Sequence, residues 1–125
     1  MGVTVSKELM MECRTKLLRM KDELLNRSRM HQQEFASFEK GSGDEIDQTV
    51  AQIAEDHFLL AADRMRKQLS EIEWALARIQ AGEFGVCEET QEPIEMERLM
   101  AIPYTRLSIE GAEIREAMQR RTSSI

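Results

Sequence analysis

Gly41-Ser42-Gly43-Asp44-Glu45-Ile46-Asp47-Gln48-Thr49 is the stretch on which the reading of the fold turns. Its glycines and serine interrupt helix, and a helical pattern runs away from it on either side. On the N-terminal side, from about Ser6 to Phe38, apolar groups at Met10, Cys13, Leu17, Met20 and Leu24 recur alternately three and four residues apart, which keeps one narrow seam on a coiled-coil helix. Beyond Leu24 the seam reads Arg27, His31 and Glu34 before Phe35 and Phe38, so this half is expected to pack less tightly. His31 reads as a half-buried seam residue that His57 can approach from a facing helix. On the C-terminal side, from about Asp44 to Ala81, the shared face carries Ile46, Val50, Ile53, Leu60, Ala61, Met65, Leu69, Ile72, Leu76 and Ile79. Each segment would be roughly 50 Å long as a helix. Two such seams joined by a short turn must fold back on each other to hide their stripes. The expectation is an antiparallel coiled-coil hairpin over residues 6-81, with its tip at 41-49 and Gly82 closing its second helix.

Composition agrees with a mainly α protein. In 125 residues and 14.5 kDa, hydrophobic residues make up 42% and charged ones 32%, against only 6 Gly and 2 Pro. The formal charge of −6 excludes a nucleic-acid binder of the usual basic kind and points to a protein partner, without DNA contact. No apolar run approaches the ~20 residues of a membrane span, and no start resembles a secretory leader, so a cytoplasmic setting with reduced Cys13 and Cys87 is expected. No Ser-His-Asp set, phosphate-binding Gly-rich loop or metal-ligand cluster suggests an enzyme.

The tip is one-signed. From Gly41 to Asp63 there is no Lys or Arg, while Asp44, Glu45, Asp47, Glu55, Asp56 and Asp63 all carry carboxylates. Such a surface is aimed at something cationic. Helix capping accounts for Asp44 as well as a contact role does. Asp47, not needed as the cap on this reading, is expected to be a contact residue.

After Gly82 the pattern changes. Phe84, Val86 and Ile94 flank a turn, 95 to 101 can form a short helix that Pro103 ends, and Ser108 caps a last helix to about Arg121. Residues 82-121 thus read as a small globular region with a C-terminal helix. Here Phe84-Gly85-x-Cys87, then Ile94, Arg98-Leu99-x-Ala101-x-Pro103 and Leu107, resembles the C-terminal zinc finger of the DksA/TraR family of bacterial transcription factors. The hairpin in front and the Asp44-x-x-Asp47 pair at its tip extend the resemblance over most of the chain.

The family's four zinc cysteines fall on Cys87, Thr90, Ser108 and Gly111. One thiolate, two hydroxyls and a glycine are not the closed tetrahedron of structural zinc, so no zinc and no other cofactor is expected. Glu88, Glu89 and Glu92 are poor substitutes. Phe84, Val86, Ile94, Leu99, Met100, Ile102, Tyr104, Leu107, Ile109 and Ile114 are expected to pack against the hairpin base near Leu17, Ile72, Leu76 and Ile79 in place of the metal, at about 1.5 to 3 kcal/mol per buried side chain.

The resemblance implies that a monomer enters the secondary channel of bacterial RNA polymerase with Asp44, Asp47 and Thr49 at the contact tip. There it would alter open-complex stability at sensitive promoters, as in the stringent response. Thr49 stands where the family often has alanine. Guanosine tetraphosphate is the implied co-regulator, with Arg64, Lys67 and Arg98 as candidate phosphate ligands, although Glu71 stands where the family often has Lys. The rival reading is a structural or adaptor coiled coil, such as a homodimer, with no polymerase role.

Overall fold

Leu17 and Ile72 have no exposed surface, and they come from the two helical patterns on either side of the glycine-rich stretch. In a computed structural model describing residues 5–42 and 47–123, the chain forms α1 (Lys7–Ser42), α2 (Gln48–Ala81), α3 (Met96–Ala101) and α4 (Ile109–Ser123). No strand occurs among the described residues beyond an isolated antiparallel bridge, Val86 to Pro93. Asp44, Glu45 and Ile46 lie outside the described residues.

The hairpin helices start and stop for local reasons. Ser6 caps α1: its Oγ accepts the Leu9 N–H at 3.1 Å and its carbonyl accepts the Met10 N–H at 3.0 Å. The expected turn at Gly41 gives way to helix, since α1 continues to Ser42 with Lys40 in its last turn facing the negative end of the helix dipole. Likewise α2 begins at Gln48 rather than Asp44. Its other end closes at Gly82 (φ 76°), where Gly82 N–H meets the Ile79 carbonyl at 3.2 Å and Glu83 N–H meets the Arg78 carbonyl at 2.9 Å. This is the paired-bond motif that a left-handed glycine permits.

The chain divides into two compact units, one made of α1 up to Arg19 with everything from Glu71 onward, the other of Met20–Ser70. In the first, a globular unit, Cys13, Leu17, Ile72, Ala75, Phe84, Cys87, Ile94, Leu99 and Pro103 are buried. Lys16 Nζ ties α1 to the Met100 carbonyl at 2.8 Å. Two expected core members do not join. Ile109 and Ile114 are 50% and 37% exposed because only the first turn of α4, at Gly111, is buried.

The second unit is a thin two-helix hairpin. Its α1 seam runs Leu24, Ser28, His31 and Phe35, and its α2 seam Ala54, Phe58, Ala61 and Met65. The expectation of Arg27, Glu34, Val50, Ile53 and Leu60 in the seam is corrected: all five are exposed. Ring stacking selects the observed register. His31 lies on Phe58 (4.7 Å, 12° between planes) and Phe58 on Phe35 (4.3 Å, 14°), a three-ring column that turns its α2 neighbours outward. His57 is exposed, so Phe58 rather than His57 meets His31.

Candidate functional site

Cys87, Thr90, Ser108 and Gly111, spread over a loop and the start of α4, come together in the globular unit. The loop is shaped by Cys87 N–H to Glu92 carbonyl (2.8 Å), Gln91 N–H to Cys87 carbonyl (2.9 Å) and Ile94 N–H to Gly85 carbonyl (2.9 Å). Gly85, at φ 90°, has the Val5 side chain where a Cβ would stand. Ser108 then starts α4: its Oγ accepts the Gly111 N–H at 3.0 Å and its carbonyl the Ala112 N–H at 2.9 Å. Thr90 Oγ1 accepts the Glu92 N–H at 3.2 Å. Each hydroxyl therefore takes a backbone proton and is left to direct its own.

Cys87 is the group they act on. Burial pushes this thiol up, but hydrogen bonds from the Ser108 and Thr90 hydroxyls, joined by the backbone N–H groups of both residues, outweigh burial and bring it down to about 6. The sulfur also fills the fourth corner, since a Cβ at Gly111 would collide with Cys87 Sγ. One sulfur, hydrogen-bonded by its neighbours, leaves this cluster with a single soft donor where structural zinc wants four.

Around this cluster runs a set of ion pairs. Arg106 reaches Glu71 on α2 at 2.8 Å and Glu88 at 3.4 Å, while Arg115 on α4 reaches Glu88 at 3.3 Å and Glu89 at 3.0 Å. These carboxylates were candidate metal recruits or phosphate repellents on sequence grounds, whereas they clamp α2, the loop and α4 together. Arg106 and Arg115 escaped notice because their partners lie far away in sequence, outside any helical or strand period.

The hairpin unit holds the remaining site residues. Asp47 proves to be the cap of α2: its Oδ1 accepts the Thr49 N–H at 3.2 Å and its carbonyl the Ala51 N–H at 3.1 Å. The expectation that Asp47 is not needed as the cap is thereby corrected, because α2 begins later than the sequence pattern suggests. Both Asp47 and Thr49 remain exposed. Arg64 is exposed on α2, and Lys67 pairs with Asp63 at 3.1 Å. Arg98 belongs to the globular unit, where its Nε donates to the Leu107 carbonyl at 2.8 Å, so it helps hold the loop before α4.

The family model of the prokaryotic dksA/traR C4-type zinc finger matches residues 82–121. The RNA polymerase-binding transcription factor DksA of Caulobacter vibrioides is 36% identical over 105 residues, covering 84% of this chain and 74% of that protein. The chain belongs to the DksA/TraR family. Transcription factor DksA2 from Pseudomonas aeruginosa has the same fold, with a TM-score of 0.83 at 32% identity over 92% of this chain and 88% of that one. The RNA polymerase-binding protein and transcriptional regulator Dks from Chlamydia trachomatis resembles it in fold alone, with a TM-score of 0.56 at 22% identity over 93% of this chain and 96% of that one.

The family's metal does not fit this member. At the four positions there is one sulfur, two hydroxyls engaged by backbone N–H groups, and a glycine whose missing side chain is replaced by that same sulfur. No group of three or more His, Cys, Asp or Glu among the described residues is placed to hold a metal ion. Nor is any helix among them long and apolar enough to cross a membrane.

Proposed function

We propose that this protein is a bacterial transcription regulator that binds RNA polymerase directly and acts through the tip of its helical hairpin, without catalysing a reaction or contacting DNA. The observation that carries this reading is the 36% identity over 84% of the chain to a relative named for polymerase binding, which spans hairpin and globular unit together. The chain acts as a cytoplasmic monomer. Its tip, with Asp44, Asp47 and Thr49, enters the secondary channel of the polymerase and favours some polymerase–promoter states over others. A ligand shifts an equilibrium only by its differential affinity for the states, so open complexes that are already short-lived are the ones that lose occupancy. The acidic character from Gly41 to Asp63 supports a cationic target for the tip.

Guanosine tetraphosphate enters this reading as a co-regulator with a reduced set of ligands. Arg64 is available for phosphate, Lys67 shares its charge with Asp63, and Arg98 is engaged with the Leu107 carbonyl. Glu71, held by Arg106, adds no cation to the set. The globular end folds without zinc.

Transcription in vitro from a ribosomal RNA promoter, with wild type and Asp47→Asn compared, tests the reading. Asn caps a helix as well as Asp does, so the substitution removes charge and leaves the start of α2 intact. Retained polymerase binding with lost inhibition is expected; equal inhibition by both proteins would move the activity away from the tip.

A further inference from the structure

The last helix is held to its unit mainly by charge. Gly111 is the one residue of α4 that is buried, whereas the apolar side chains of Ile109, Ile114 and Met118 are 50%, 37% and 53% exposed. Burial therefore anchors α4 at a single point, where Gly111 lies against Cys87 Sγ. The ties on either side of that point are ionic. One turn further on, Arg115 takes Glu89 at 3.0 Å and Glu88 at 3.3 Å from the loop, and before it the Glu95 carboxylate accepts the Ile109 N–H at 3.1 Å. The Arg115 and Glu88 side chains are each 40% exposed, so dissolved ions reach the pair they form. Such interactions are screened over ~10 Å at 0.1 M salt and over only ~3 Å at 1 M.

We propose that α4 is an ionic latch over Cys87: it is closed at low ionic strength and opens locally as salt rises, uncovering the thiol while the rest of the globular unit stays folded. An element with few buried apolar contacts and solvent-exposed ties is the kind that opens by itself, below the threshold for global unfolding. The sign of the salt effect separates this latch from an apolar lid. Salts excluded from the protein surface strengthen apolar burial, so a lid seated by its hydrophobic side chains would close more firmly.

Cys13 supplies an internal reference. It belongs to the same globular unit and has no exposed surface, but its cover is different: its Sγ lies 3.7 Å from the Leu99 carbonyl on α3, and one turn along α1 Lys16 holds the Met100 carbonyl. Release of α4 leaves that cover in place. Unfolding of the whole unit does not.

Alkylation of the full-length protein by iodoacetamide, an uncharged reagent, at pH 8 tests the latch, with the two cysteines resolved by peptide mass spectrometry. Between about 0.05 M and about 1 M sodium chloride the wild-type rate at Cys87 is expected to rise roughly tenfold or more, and the rate at Cys13 less than about twofold. Arg115→Gln, which removes the cation, is expected to react at Cys87 in the dilute salt as fast as wild type does in the concentrated one. Arg115→Lys, which keeps the charge, is expected to restore the salt response. A Cys87 rate that is flat or falls with salt would overturn the latch. So would a parallel rise at both cysteines, which means that the unit opens as a whole, or an Arg115→Gln protein whose Cys87 responds as wild type does.

Discussion

Gly111 lies so close to Cys87 Sγ that the smallest side chain added there would overlap the sulfur. One residue of the former ligand set thus occupies the space of another, and the close packing of the globular unit depends on a position with no side chain.

Gly111→Ala is therefore expected to destabilise the protein by about 1 to 3 kcal/mol, the cost of overpacking a filled core. The direction is informative, because alanine in a helix normally gains about 1 kcal/mol over glycine. Urea denaturation of both proteins measures the difference. A more stable variant would mean that the sulfur moves aside freely.

Stability should also follow the charge of Cys87. Its folded value of about 6 lies below that of an unperturbed thiol, roughly 8.5, so the unfolded chain binds more protons between the two. Stabilisation from this group is complete above the unfolded value and is lost as pH falls through the folded one. The urea midpoint of wild type relative to Cys87→Ser is expected to rise from pH 6 to pH 9, and thiolate absorbance of the folded protein to titrate near pH 6. A constant difference between the two proteins would show that the thiol is not ionised by its donors.

Chelation should leave the fold alone. A strong chelator is expected to shift the melting temperature by less than about 1 °C, whereas a structural zinc contributes much of the folding free energy of a small domain. Stoichiometric zinc in the purified protein, or unfolding on chelation, would contradict the donor set described above.

At the tip, capping and charge can be separated. Asp47→Ala removes the acceptor for Thr49 N–H and is expected to cost about 1 kcal/mol, while Asp47→Asn should stay within about 0.5 kcal/mol of wild type. Thermal denaturation of the two variants checks this. Equal losses in both would mean that the carboxylate charge, not the cap, holds the start of α2.

The hairpin, the closing turn at Gly82 and the Ser108 cap were legible in the sequence because each depends on residues within a few positions of one another. The register beyond Leu24 was not. There Arg27 and Glu34 kept the spacing of the seam, and the outcome was decided by His31, Phe35 and Phe58 stacking across two helices, which no single-helix period encodes. The finger positions were visible as a degenerate set, with one thiol where structural zinc wants four soft ligands. How the four positions pack together was only half visible. The apolar candidates Phe84, Ile94 and Leu99 are buried, but the convergence of Ser108 and Thr90 on Cys87 depends on hydroxyl protons freed by backbone bonds elsewhere.

Ser108 does two jobs with one hydroxyl, accepting from α4 and donating to Cys87. During synthesis Cys87 leaves the ribosome ahead of both Ser108 and the helix that Ser108 starts. Until that late stretch arrives the thiol has Thr90 beside it but lacks Ser108, one of its two hydroxyl donors, and has the side that α4 covers left bare. The last helix is thus a lid in time as well as in space, and a chain released before residue 108 would carry an unguarded cysteine.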